Sequence, residues 1–557
     1  MYSFTPVLDK APPACYNGHR GTIRLNLYRR TTTNMKRLLS ALLALLLLAS
    51  FAACGNNPSD TGDGSGQTAS GDSAVTPGDP DAGDSAAETE ADVLAPYRSI
   101  DLGGRTVHIS VSSNISENGG GMPSSYPYIA GPDELTGESV QDNVFERNHT
   151  VEEMLSVKLD YQPLDLNYDQ VQPYVANLVT SGDTSVDFYV NDQLGLLNCA
   201  MNGYLLDLAD KTNFADYWFD FDSGAYYADY MKNLSLGNQR FLMTGDYFID
   251  TLRAAHVLYL NKNICQDVAG SPDAVYDMVL EGSWTLDRFL DLVDAAYSDA
   301  NGNSTADDED RYGLSGHSKG WSAPYYTFYY STDSHVVDFD DAGMPYLNEA
   351  NVDRMSMVSE KLIRLDNSQG MFKTSSVAES LKKFVDGQSM FTMFQKVGDI
   401  EQGSIREFDG MGVVPYPKLD ETQAAYRTLV HDTAELGAVP VTTVGEASSA
   451  VSAVVQVMAT HAHAYLLNDY YEVALKNKYA QDRTSAQMLD MVVAGISAPF
   501  EFAYELGFGG SSYLAGISWN PVGESISQGT DVTASSFQKY LKTANKKLAK
   551  LIEAYNG

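Results

Sequence analysis

The sequence predicts an α/β protein whose sheets are built mainly from parallel strands. Short runs with period-two alternation, such as Val107, Ile109 and Val111, read as strands. Between them lie segments with apolar residues at helical spacing, such as Val140, Val144, Val151, Met154 and Leu155. The two kinds alternate along the chain, and strand–helix–strand order is what a parallel sheet requires.

In chain order, "RTVHISVSS" is the first strand, and the helix over 140–155 runs into a second strand carrying Val157, Leu159 and Tyr161. A helix over 170–178 follows, then "SVDFYVND", a strand that ends in acids. Ligands of such sheets sit beyond the carboxyl ends of strands, which puts the loop 112–128 and Asp192 at a candidate site. The aromatic stretch 214–230 reads as a helix, and "QRFLMTGDYFIDTLRAAHVLYLNKNIC" follows it. In "SWTLDRFLDLVDAAY", Thr285 is the N-cap of a helix that places Leu286, Phe289, Leu290 and Val293 on one face, with Trp284 as a core anchor. "ESLKKFVDGQSMFTMF" reads as helix, glycine turn and strand, and "MGVVPYPK" and "LGAVPVTT" as further strands. The tail is helical over 447–459, 470–479, 486–493 and 536–555, and no repeat has a solenoid period.

A chain of 557 residues has room for two or more lobes with their own cores. Its net charge is −36, from 73 acidic and 37 basic residues, which argues against nucleic acid as a partner. Tyrosines (35) far outnumber tryptophans (4), a composition compatible with polar ligands and equally with tyrosine-rich cores.

The N-terminal region carries a targeting signal. Lys36 and Arg37 precede the apolar run 38–49, too short to span a bilayer, and Phe51-Ala52-Ala53 lead into Cys54. This reads as a signal peptide over 35–53 with a lipobox-like end, Cys54 being lipidated; Phe51 stands where lipoboxes usually carry Leu. A plain cleaved signal is the alternative. Residues 1–34 look unlike any signal element and suggest a start codon called too early. The stretch 54–96 is rich in Gly, Ser, Ala, Pro and Asp and lacks Lys and Arg, so it reads as a disordered acidic tether. Of the other cysteines, Cys199 and Cys265 either pair or stand as two buried thiols, and they form no metal-binding spacing.

The stretch "SDANGNSTADDEDRYGLSGHSKG", 298–320, contains Gly316-His317-Ser318-Lys319-Gly320, the string of a serine-hydrolase elbow, with His431 or His461 as a base. An elbow needs a buried strand before the serine and a helix directly after it, whereas "WSAPYY" with Pro324 follows here. A secreted serine hydrolase is therefore the alternative function. His461 and His463 fall on different helix faces and make a poor metal pair.

"DNVFERNHTVEEMLSVKL", "VDFYVND", "GYLLDLAD", "LYLNKNI" with "WTLDRFLDLV", "FVDGQSMFTMF…MGVVPYPK" and "DYYEVALKNKYAQDRTSAQMLDMV" together resemble the bacterial extracellular solute-binding lipoproteins of ABC importers, the sugar-binding group (family 1-like), over about 105–553. The resemblance implies a two-lobe periplasmic-binding-protein-like fold (type II), its lobes joined by crossing hinge segments. Lobe 1 is expected over 97–252 plus 378–445 and lobe 2 over 253–377 plus 446–557. The implied function is capture of a polar solute, a sugar or oligosaccharide, by lobe closure, and its delivery to an ABC permease by a monomeric non-enzyme. The protein is then lipid-anchored at the extracellular face of the membrane.

Members of that group often carry a calcium loop, matched here by Asp299, Asn301, Asn303, Thr305, Asp307 and Asp310. Asn303 lowers the ligand charge, and Ser304 stands where glycine normally takes positive φ. The loop is a structural calcium site or a solvated acidic loop; no cofactor is required. For the solute, sugar-binding clefts imply aromatic platforms and hydroxyl-reading polar groups. Trp321, Tyr325 and Tyr326 are the platform candidates, packing at the start of a core helix being their alternative role. Asp192, Asp246, Tyr247, Tyr128, Gln395, Asp432 and Trp218 are the other candidates.

Overall fold

The computed structural model describes residues 92–113, 125–320, 322–401, 403–432, 434–471, 483–504 and 516–556. Residues 1–91, with the signal, Cys54 and most of the tether, lie outside the described residues, as do Trp321 and most of the expected helix 470–479.

The first sheet starts from β1 (Arg105–Ser112), β2 (Val157–Leu164) and β3 (Phe188–Asp192). β1 lies between the other two and parallel to both, Val107 registering with Leu159 and Ile109 with Phe188. The second sheet starts from β4 (His256–Asn261) and β5 (Tyr312–His317). A separate antiparallel pair, β6 (Val337–Phe339) and β7 (Pro345–Leu347), follows. β8 (Met371–Thr374), β9 (Ser389–Lys396) and β10 (Met411–Val414) complete the second sheet in the order β10-β4-β9-β5-β8. Then come β11 (Thr428–Leu429), β12 (Glu435–Ala438) and β13 (Ile496–Ser497). β11 pairs with β13, and β12 returns to the first sheet antiparallel to β3. The parallel expectation holds for β1–β3 and for β5 with β8 and β9, while β4 runs antiparallel to both its neighbours.

The expected elements form for the reasons their patterns suggest. The helix Ser139–Leu155 buries Val140, Val144, Val151 and Leu155, and ends at Ser156 in the left-handed region. Thr285 Oγ1 accepts from Arg288 N at 3.4 Å and caps the helix Leu286–Ala296. Trp284 is fully buried, and its indole N–H donates to Pro415 O at 2.9 Å. Gly387, at φ 76°, makes the turn between the helix Val377–Val385 and β9. Cys199 and Cys265 are buried free thiols.

Two expectations are corrected. The stretch 214–230 is helical only from Ala228, in the short helix Ala228–Asn233. Before it, the chain lies alongside the helix Glu446–His461. Asp216 N donates to Ser449 Oγ (2.9 Å), Trp218 N to Ser452 Oγ (3.3 Å) and Asp220 N to Gln456 Oε1 (2.7 Å). Alternate residues of the run thus meet successive turns of one helix face. Two extended residues rise about 6.6 Å and three to four helical ones about 5 Å. Phe214, Tyr217, Phe219, Phe221 and Tyr226 pack ring on ring, 4.8–5.8 Å apart at successive pairs.

The lobe boundaries are also corrected. β9 and β10, inside the span 378–445 expected in the first lobe, pair with β4 and β5 in the second sheet. The helix Glu446–His461, expected in the second lobe, packs Val451, Val454, Val455 and Met458 against Val107, Ile109 and Val190 of the first sheet. The other face of β3, through Tyr189, belongs to a larger core that continues into the second sheet around Trp284, Phe289 and Phe391.

Candidate functional site

Among the described residues, the chain passes between the sheets from β3 to β4 and again from β10 to β12. The two crossings lie side by side. Ala255 forms an antiparallel bridge with Val430, and His431 N donates to Ala254 O at 2.9 Å. Val397, just past β9, donates to Ala255 O at 2.9 Å, and Gln193, just past β3, donates to Ala434 O at 2.9 Å. Strand ends of both sheets therefore meet along one line.

That line is polar and buried. Arg253, on the first crossing, is fully buried and bonds both oxygens of Glu401 at 2.9 and 3.0 Å. Its guanidinium lies 4.0 Å from the centre of the Tyr128 ring. Tyr470 OH donates to Glu401 at 2.8 Å and meets the Tyr128 ring edge-on at 6.4 Å. Ser125 Oγ donates to Asp250, whose other oxygen accepts from Glu435 N at 3.0 Å. Burial works against the Arg253 charge, and the Glu401 carboxylate overrides it, so the group stays charged. At Glu435 burial, then Asp250, outweigh a Ser112 hydrogen bond and the Arg253 charge and push the carboxyl well above the ordinary range.

Asp192 caps the helix Gln193–Met201 by accepting from Leu194 N (2.8 Å) and Gly195 N (3.3 Å). Burial outweighs those two amides and, with Asp250 adding to it, pushes the carboxyl up to about 7. Farther along, His256 stacks on Phe394 (5.0 Å) and faces His431 (5.4 Å). Burial and Lys396 push His256 down to about 3 and hold His431 well below the usual range, so both rings are neutral. Three buried polar atoms of the seam have no hydrogen-bond partner among the described residues: Asn191 Nδ2, Gln395 Oε1 and Glu435 Oε2.

Of the sequence candidates, Tyr128, Asp192, Gln395 and Asp432 belong to this seam. Tyr326 reaches it by a 3.4 Å contact between its hydroxyl and His256 Nε2. Tyr325 and Tyr326 are buried at the start of the core helix Tyr326–Ser331. Tyr247 packs in the first sheet's core against Phe188. Asp246 pairs with His463 at 2.6 Å, and Trp218 packs on the first sheet's core. Sequence reading missed Asp250, Arg253, Glu401, Glu435 and Tyr470. One signal was available: Asp250 and Arg253 interrupt the otherwise apolar run "FIDTLRAAHVLYL".

The acidic loop is closed by its own bonds. Asp299 accepts from the backbone N–H of Gly302, Asn303 and Ser304 at 2.7, 3.2 and 2.8 Å. Asp307 accepts from the carboxamides of Asn301 (3.0 Å) and Asn303 (2.6 Å), whose own oxygens take Asn303 N and Thr305 N. Asp310 is fully buried and accepts from Ala300 N and Tyr297 OH. Both carboxamide oxygens accept from backbone N–H groups and both carboxamide nitrogens donate to Asp307, so the loop is knit together by its own bonds. Among the described residues, no group of three His, Cys, Asp or Glu side chains could hold a metal. Ser304 does take the positive φ, 60°, that its position demands.

Ser318 does follow a buried strand, β5, but the helix begins only at Tyr326, so no elbow forms. Its hydroxyl lies 3.3 Å from Tyr325 OH, which is 2.9 Å from Asp366.

No protein-family model matches this sequence, and no curated protein matches it. Solved structures do. The GacH receptor of Streptomyces glaucescens GLA.O, studied unliganded and with acarbose, matches at 13% identity and a TM-score of 0.45, over 80% of this chain and 99% of its own. A cyclo/maltodextrin-binding protein complexed with maltotetraose matches at 13% identity and 0.47, over 79% and 97%. The maltose/maltodextrin-binding domain MalE of Bdellovibrio bacteriovorus, bound to maltotriose, matches at 10% identity and 0.45, over 80% and 100%.

Proposed function

We propose that this chain is a solute-binding lipoprotein that works outside the cytoplasmic membrane. It is held there through Cys54 and the tether 54–96, captures a polar solute between two lobes, and presents it as a monomer to an ABC permease. The observation that supports this reading is the seam, where strand ends from both sheets and the crossings gather buried polar atoms, three of them without partners among the described residues. A polar interface can separate and rehydrate where an apolar one cannot, so the lobes part along this line. A solute rich in hydroxyls donates and accepts from the same atoms, and so suits Asn191, Gln395 and an uncharged Glu435 together. The solute class, sugar or oligosaccharide, rests on the sequence resemblance and on this demand for neutral hydrogen bonding. By contacting both lobes the solute favours the closed form.

The test is thermal denaturation of the full chain in detergent against panels of oligosaccharides, peptides and amino acids. An oligosaccharide at about a hundred times its Kd is expected to add ~2.7 kcal/mol and raise Tm. No shift with any sugar sinks the sugar reading, and a shift with peptides alone reassigns the solute.

A further inference from the structure

We propose that a small pocket beside the second crossing binds a neutral polyhydroxylated solute of monosaccharide size. The pocket encloses about 250 Å³, below the ~300–1,000 Å³ of sites for drug-sized ligands. The helix Ala228–Asn233, β6, β11 and the β13–Phe500 segment wall it, and it shares no residue with the seam.

Its charges are already matched to one another. Arg427 Nε bonds Asp333 at 3.0 Å, and another guanidinium nitrogen lies 3.9 Å from Asp229. His335 Nε2 lies 2.9 Å from Asp338, which also accepts from Asn348 at 2.5 Å. Lys232, the remaining charged group in the lining, shares its helix with Asp229. An entering anion meets Asp229, Asp333 and Asp338, and an entering cation meets Arg427 and Lys232. A neutral ligand meets no such opposition, and it can still hydrogen-bond to the free edges of these planar groups.

One further feature points to a hydroxylated ring. Phe339 and Phe500 meet edge to face, 5.7 Å apart and 89° to each other, and with Tyr330 supply apolar surface for the C–H face of a sugar ring.

Saturation-transfer NMR on the full chain in detergent, with glucose, galactose, xylose and xylitol at millimolar concentration, tests the site. Glycine betaine serves as the charged comparison. At least one of the four neutral compounds is expected to bind. Phe339→Ala, checked for folding by its Tm, removes ring surface from the pocket wall and should weaken binding by about threefold to tenfold, the scale of one aromatic contact. Arg427→Gln, checked for folding by its Tm, should also weaken it. The proposal is overturned if none of the four binds, if betaine competes as well as they do, or if binding survives both variants. Binding that survives both variants and disappears in Asp192→Asn belongs to the seam and likewise overturns it.

Discussion

Arg253 and Glu401 share two hydrogen bonds, 2.9 and 3.0 Å, although Arg253 stands on the first crossing and Glu401 just past β9. The pair ties a connecting segment to the second sheet, and the Tyr128 ring, which follows β1, covers it. One buried ion pair thus holds parts of both sheets and a crossing in one arrangement.

Breaking that pair from one side should be costly. Arg253→Met leaves the Glu401 carboxylate without its cation, and Glu401→Leu leaves a fully buried guanidinium; each is expected to lose ~3–5 kcal/mol. Replacing both together should lose less than the sum of the two, because neither partner of the pair is left facing an empty place. Urea unfolding of the three variants measures the coupling, and simple additivity would show that the pair does not act as a unit.

The seam should also write a pH signature into stability. Asp192 has its folded pKa raised from 3.8 to about 7, so the native state binds the extra proton. Its contribution is fully favourable below pH ~4 and is lost as pH rises towards about 7. His256 has its folded pKa lowered from 6.5 to about 3, so its contribution is present above pH ~6.5 and is lost as pH falls. Between pH 4 and 6.5 the two oppose each other. In Asp192→Asn the Tm is therefore expected to rise more steeply from pH 4 to 7 than in the wild type; an unchanged slope would contradict the burial argument.

The acidic loop makes a separate prediction. The carboxamide nitrogens of Asn301 and Asn303 face Asp307, where a cation would need oxygens, so Tm is expected to be the same in excess chelator and in millimolar calcium. A rise of several degrees, lost in Asp299→Asn, would show that the Asn301 and Asn303 carboxamides turn over and admit the ion. Ser304→Gly should stabilise by ~1 kcal/mol, because glycine takes φ 60° without the Cβ clash.

The elements that announce themselves locally were legible in the sequence. β1 alternates, the helix Leu286–Ala296 carries its cap, and Gly387 marks its turn. The aromatic run 214–230 was misread because its organising partner is distant. The side chains that take its amides, Ser449, Ser452 and Gln456, lie more than two hundred residues away. The same holds for β12, whose four residues give no sign of which sheet they join. In the seam, Asp192 was visible as an acid at a strand end, but Glu401 and Glu435 acquire meaning only when the crossings bring them to Arg253 and Asp250.

The return of β12 and the helix Glu446–His461 to the first sheet has a consequence for how the chain matures. As synthesis proceeds, β1, β2 and β3 emerge early, but the free edge of β3 and the groove beneath β1 stay open until the whole second sheet has been made. The late helical stretch 446–469 is apolar enough by length and composition to cross a membrane, and 72% of its most apolar window is buried in the finished fold. During synthesis, then, the N-terminal part waits as an unfinished template. The last quarter of the chain carries the closing piece, so a truncation after β10 should leave an aggregating fragment, not a folded lobe.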